Sequence, residues 1–317
     1  MTALSIYLFG SVQVVRDDHY PVKLRPTAKA MLAYLVLNRN RTPHRVGHRR
    51  EVLANHFWGS HDERNARRCL STTLWRLRRE LEPGTVPNGT YLVASPEGDL
   101  SFNFSSDHWL DVFAFEEKVR RGMARPVAEM DSADAQALEE AQELYMGELL
   151  EDCYGDWVFR ERERFNLLHL NSLARLMRYY EQHHNYEQSL VCGQKILAID
   201  PLREQVHRHM MRLYMMSGQR ALAVQQYEAC RTVLAEELRI QPMAETKALR
   251  NEIVSTLKPA PVIATLSYER PGTLQHAVQQ LGAAIRNLDQ AQEQLQQAKM
   301  MVARFTEQRT IEDVLVE

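Results

Sequence analysis

No apolar run in this 317-residue chain approaches the roughly 18 residues that a membrane-spanning helix requires. Its opening, MTALSIYLFGSVQVV, lacks the basic stretch and small-residue cleavage site of a secretory leader, so the expected location is cytoplasmic. Cysteine is sparse: Cys69, Cys153, Cys192 and Cys230 lie far apart with no CxxC pair. That spacing argues against a disulfide framework or a structural zinc site and leaves reduced thiols within helices. No GxxxxGK[ST] loop is present, which argues against ATP-gated regulation. No Ser/His/Asp or Cys/His set has a recognisable motif around it. The expectation is that the chain is not an enzyme and needs no cofactor or metal.

Histidine is the residue type that most invites a metal reading. His44, His48, His56 and His61 are crowded, yet their spacing does not put three ligands on one helical face. They are read as surface or phosphate-contacting residues. His183, His184, His207 and His209 are read as surface or helix-end residues, and RERER at 160–164 as a solvated face.

What is present is a balanced composition, 44% hydrophobic and 25% charged, with a net charge of −2. The balance hides an asymmetry. Residues 1–100 hold 15 Lys+Arg against 9 Asp+Glu, a net of +6, and the remainder holds 24 against 32, a net of −8. A basic N-terminal module joined to an acidic remainder implies an anionic partner for the first part.

Periodicity then divides the chain. Residues 4–15 and 21–24 read as strands with Asp17-Asp18-His19 between them. Helices are expected from Thr27 to about Asn38, over Arg50–Phe57 with Gly59 as a left-handed C-cap, and from Asn65 to Leu81 before Pro83-Gly84. Tyr91–Ala94 and Leu100–Phe104 form a β-hairpin. Strands, three helices and a hairpin in that order make an α+β winged helix over residues 1–106. A second, all-α domain is placed at 107–257; from about 131 nearly everything reads as helical, with helices expected at 131–150, 157–184, 186–199, 202–217, 219–236 and 243–257. Short loops between paired amphipathic helices suggest a tetratricopeptide-like (TPR-like) repeat, although Pro201 and Pro242 lie 41 residues apart rather than 34.

The third helix carries the sharpest chemistry. Ala66, Leu70, Thr73, Leu74, Leu77 and Leu81 share one face and should enter the core. The opposite face presents Asn65, Arg68, Thr72, Trp75, Arg76 and Arg79, with Arg67, Ser71 and Arg78 on a flank, and residues 64–79 contain no acid. Arginine can form two hydrogen bonds to guanine and asparagine two to adenine in the major groove of a duplex. The plainer reading, an arginine-rich solvated face, would usually interleave acids. Arg39, Arg41, Arg45, Arg49 and Arg50 are expected to reach the flanking phosphates. The hairpin would be the wing, although its tip is acidic (Glu97, Asp99).

LSIYLFGSVQVV, KLRPTAKAMLAYLVLNRNRTP, LANHFWGS and ARRCLSTTLWRLRREL resemble the DNA-binding half of the SARP family of bacterial activators. WLDVFAFEEKV, LYMGELLED and the stretch from Asp200 to Pro242 are similar to the same family's bacterial transcriptional activation domain (BTAD). The resemblance covers about 1–257. It implies an OmpR-like winged helix that binds direct repeats in promoter DNA, a TPR-like bundle that contacts RNA polymerase holoenzyme, and a nucleoid-associated location. Segment 43–50 (PHRVGHRR) is longer and more basic than the family's usual connection, so docking there can differ.

Residues 258–271 read as a linker, and 272–317 as a C-terminal heptad helix, coiled-coil-like, with its tail. Leu274, Leu281, Leu288, Leu295 and Val302 recur every seventh residue, and Val278 and Ile285 fill the companion seam. Gln292 and Lys299 could set register in a parallel homodimer. Ala277, Ala284, Ala291 and Ala298 repeat beside the leucines and would equally permit close antiparallel packing or docking onto the repeats. Two functions remain open on sequence: a sequence-specific activator, or a helical-repeat adaptor whose winged domain binds protein.

Overall fold

The computed structural model describes residues 4–16, 20–38, 47–84 and 86–256. The oligomerisation seam (Leu274, Val278, Leu281, Ile285, Leu288, Leu295 and Val302) lies outside them, as do Arg39, Arg41, His44, Arg45 and the Asp17–His19 turn.

The N-terminal run folds as two strands rather than one: β1 (Leu4–Tyr7) and β2 (Gln13–Arg16). Gly10, at φ 76, turns the chain between them in a conformation that a side chain would disfavour. β3 (Tyr20–Pro21) extends the sheet, and β6 (Trp109–Leu110) joins it parallel to β1, giving the order β3-β2-β1-β6. Alternation along β1 sends Leu4 and Ile6 into the core and leaves Tyr7 exposed.

Three helices follow: α1 (Pro26–Leu37), α2 (Arg50–Trp58) and α3 (Glu63–Leu81). Pro26 opens α1 at a position where a missing N–H costs nothing. Asp62 caps α3, its carboxylate accepting from the Asn65 N–H at 3.0 Å. Gly59 closes α2 in the right-handed region rather than as the expected left-handed cap. Its need is steric, since a Cβ there would meet the Asn55 carbonyl oxygen at 2.6 Å. β4 (Leu92–Ala94) and β5 (Leu100–Phe102) form the hairpin, paired Leu92 to Phe102, and His48 bridges onto Leu100.

The remainder is helical. α4 (Asp111–Gly122), a 3-10 turn at Val127–Glu129, and α5 (Ser132–Leu144) precede the long α6 (Asp156–Gln182). α7 (Tyr186–Ile199), α8 (Glu204–Met216), α9 (Arg220–Glu237) and α10 (Ala244–Thr256) complete the series. Periodicity alone did not signal α4, although Val112, Phe115 and Val119 make its buried stripe. The helix expected over 131–150 stops at Leu144, because the following segment pairs instead with residues 8–10, which link β1 to β2. Phe9 bridges Leu149, the Leu150 N–H reaches the Leu8 carbonyl at 2.8 Å, and the Glu151 N–H reaches that of Gly10 at 2.9 Å.

Two hydrophobic clusters hold this unit. One runs from Leu4 through the three helices and the hairpin to Trp157 and Phe165, and the other from Met130 to Ile253. His207 is buried in the second half with its Nε2 3.0 Å from the Pro201 carbonyl oxygen, so it is a core residue rather than a surface one.

Candidate nucleic-acid interface

α3 separates its residues as its period demands. Ala66, Leu70, Leu74, Leu77 and Leu81 are buried. Asn65, Arg67, Arg68, Ser71, Thr72, Trp75 and Arg79 are exposed, and Arg76 is half-buried beside them. The structure thus brings eight of the expected site residues onto one helix surface. Arg49 and Arg50 are exposed at the start of α2, Arg49 as its N-cap.

Several of these groups have partners. The Asn65 amide donates to the Asp62 carboxylate at 2.5 Å, so it is tied to the cap in the free protein. The backbone N–H of Asn65 holds the Asp62 carboxyl below its ordinary range. Arg67 pairs with Glu63 one turn back at 2.6 Å, and both are exposed, a pairing that solvent screens. The Ser71 and Thr72 hydroxyls donate to the carbonyls of Arg67 and Arg68, both at 2.9 Å. Trp75 is 58% exposed, and the Arg79 guanidinium sits 4.9 Å from its ring centroid. Arg79 also pairs with Glu80 at 2.8 Å. The tryptophan therefore has Arg79 against its ring and leaves more than half of its surface to solvent.

Arg78 differs from its neighbour. Its guanidinium donates to the Leu92 carbonyl at 3.3 Å, fastening the hairpin to α3. The buried Glu82 carboxylate completes that attachment by accepting from the N–H groups of Gly89, Tyr91 and Leu92 at 2.7–3.0 Å. The wing is thereby fixed along the flank of α3 that carries Arg78. Of the two acids at its tip, Asp99 is buried and only Glu97 is exposed.

His48 does not serve the surface. It is buried with its Nε2 2.6 Å from the Asn38 carbonyl oxygen and its ring against Tyr34, and desolvation lowers its pKa. His56 also packs on Tyr34, with centroids 4.6 Å apart, while His61 is exposed.

Two cations that the helical pattern did not single out stand beside the interface. Lys23 and Arg25, in the segment leading into α1, line a cleft of 560 Å³ together with Arg68, Thr72, Arg76 and Arg79. Their signal was the short basic run KLR before Pro26, in a segment that carries no helical period.

Residues 110–254 match the family model described as the bacterial transcriptional activator domain. The chain is 27% identical over 268 residues to the regulatory protein AfsR of Streptomyces coelicolor, covering 84% of this chain but 25% of AfsR. It is 24% identical over 245 residues to the transcriptional regulatory protein MoaR1 of Mycobacterium tuberculosis, covering 73% of each. Among solved structures it resembles Mycobacterium tuberculosis EmbR, determined in complex with a low-affinity phosphopeptide, with a TM-score of 0.65 at 21% identity. That likeness covers 92% of this chain and 72% of the EmbR chain, and at this identity it speaks for the fold.

Proposed function

Since residues 110–254 are a bacterial transcriptional activator domain and the chain stands with the SARP/BTAD regulators, we propose that it is a sequence-specific transcriptional activator. Residues 1–106 bind double-stranded promoter DNA at direct repeats, and residues 107–257 contact RNA polymerase holoenzyme. α3 enters the major groove, where Arg68, Arg76 and Asn65 reach base edges, Asn65 exchanging its bond to Asp62 for one to a base. Arg67, Arg79, Ser71, Thr72, Arg49 and Arg50, with Arg45, position the helix on phosphates. Trp75 lies against a sugar or a thymine methyl. The terminal heptad helix, through Leu274, Val278, Leu281, Ile285, Leu288, Leu295 and Val302, joins two copies so that adjacent repeats are filled together.

One observation carries this reading: α3 exposes a cationic face with no acid between residues 64 and 79, beside a hairpin anchored by Arg78 and Glu82. The test is to sequence the genomic fragments retained by purified protein at about 150 mM salt, alongside the Arg68→Ala/Arg76→Ala/Arg79→Ala variant. The expected result is a repeated motif upstream of genes for the wild type and none for the variant. The variant should also lower the salt slope of duplex binding by roughly 0.9, for the phosphate that Arg79 no longer neutralises, while the loss of Arg68 and Arg76 removes base recognition. Equal enrichment by both proteins would overturn the assignment of α3.

A further inference from the structure

The cleft that contains Lys23 and Arg25 lies between the segment 23–28 and the side of α3 that carries Cys69, Thr73, Arg76 and Glu80. At 3.6 residues per turn, Arg76 and Arg78 point to opposite flanks of the helix. The wing is fastened on the Arg78 flank, so the cleft opens on the other one. A recognition helix seated in a major groove has a phosphate backbone along each of its flanks. Arg78 and the hairpin face one of these backbones, and the cleft faces the second.

The cleft has the chemistry for that strand. Lys23, Arg25, Arg68, Arg76 and Arg79 line it against a single acid, Glu80, which is already paired with Arg79. Among the described residues no carboxylate pairs with Lys23 or Arg25, and both are exposed. The first residues of α1 (Pro26, Thr27 and Ala28) form the cleft's far wall. α1 has no side-chain cap and no acid in its first turn, so the positive end of its dipole stays uncompensated there. The Thr72 and Thr73 hydroxyls add neutral polar groups. Cations gathered in a cleft focus potential more than the same charges spread over a flat face.

We propose that this cleft holds phosphates of the DNA backbone, on the strand away from the wing, with Lys23 and Arg25 as the ligating cations. The inference rests on the DNA-binding reading above and assigns it a second phosphate-binding wall. A free phosphate ion shares the chemistry and is the alternative source.

The test uses the full chain and a mixed-sequence duplex of about 30 base pairs, with affinity measured by fluorescence anisotropy between about 50 and 200 mM NaCl. Lys23→Ala/Arg25→Ala is compared with the wild type and with Arg120→Ala, an exposed cation of α4 outside the interface. The double variant should lose about two units of salt slope and about tenfold or more in affinity, with an unchanged melting temperature; Arg120→Ala should match the wild type. An unchanged slope in the double variant overturns the cleft proposal while leaving α3 as the DNA-binding element. A wild type that fails to hold duplex even at low salt overturns the DNA-binding reading itself. In a parallel arm, inorganic phosphate at constant ionic strength is titrated against the melting temperature. A rise in the wild type that the double variant lacks, with slopes equal, would reassign the cleft to a free anion.

Discussion

Asp111 is 2% exposed at the start of α4, and its carboxylate accepts from the N–H groups of Leu8 at 2.7 Å, Phe9 at 2.9 Å and Val112 at 2.7 Å. It ties the end of β1 to the helical half. Burial outweighs those three donors and raises its pKa to about 6 from 3.8. A raised carboxyl pKa means that the native state binds more protons than the unfolded chain between these two values. The contribution of Asp111 is therefore complete below about pH 4 and is lost as pH rises through about 6, on the order of 3 kcal/mol in all. In urea unfolding, Asp111→Asn should flatten that part of the stability profile; an identical profile in the variant would show that another group titrates there. The same scale separates two neighbouring arginines on α3. Arg78 donates to the Leu92 carbonyl and serves the wing's attachment, whereas Arg79 is left outward on Trp75.

Among elements, the segment between α5 and α6 does the most to unite the two halves. Leu150 sits at φ 56, a left-handed conformation that costs a side-chain-bearing residue roughly 1–2 kcal/mol. The Arg162 guanidinium on α6 holds it there, donating to the carbonyls of Leu149 at 2.7 Å, Leu150 at 2.5 Å and Cys153 at 3.3 Å. Next to it, Asp152 accepts from the Val12 N–H at 3.1 Å and from Lys29 of α1 at 2.8 Å. The loop therefore grips both the first sheet and the first helix of the winged half. Arg162→Ala should cost about 2–3 kcal/mol and speed hydrogen exchange at residues 148–153, because the Leu149 and Cys153 carbonyls lose the guanidinium and that of Leu150 keeps only the Cys153 N–H. Lysine at 162 should recover only part of this, having no planar fork. Protection at 148–153 that survives the alanine change would mean the strand-like bonds to Leu8 and Gly10 suffice.

At the scale of the whole molecule, the first hydrophobic cluster does not stop at the junction of the winged and helical halves. Phe9 packs against Phe115, Tyr145 and Phe165 with ring centroids 5.2, 4.8 and 5.4 Å apart. Residues 1–106 made alone would strip Phe9 of all three rings, a loss comparable to the ~3–5 kcal/mol of a Phe→Ala change in a core. That fragment should melt well below the full chain and bind a hydrophobic dye, while residues 4–256 of the full chain should unfold in one calorimetric transition. A fragment as stable as the intact protein would show that the shared cluster contributes little. The physical consequence is that the winged half and the helical half are tied together, α1 through Lys29 and the end of β1 through Asp111.

How much of this was legible in the residues depends on how local the cause was. The 3.6-residue period of 65–81 places α3 to within two residues of its observed start at Glu63 and sorts its leucines from its arginines, because a helix places side chains by spacing alone. The helix pairs around Asn185, Pro201 and Gly218 were equally readable, their boundaries set by caps and breakers. Charge alone separated a basic first third from an acidic remainder. Only the tertiary structure decided the rest. The stop of α5 at Leu144 comes from strand pairing with residues over a hundred positions away, and the parallel pairing of β6 with β1 is of the same kind. The burial of His48 and the division of labour between Arg78 and Arg79 depend on which neighbour each side chain meets. The placement of Lys23 and Arg25 across a cleft from Arg68 and Arg76 has no period to betray it, since a loop's side chains acquire a direction only from the packed elements at its two ends.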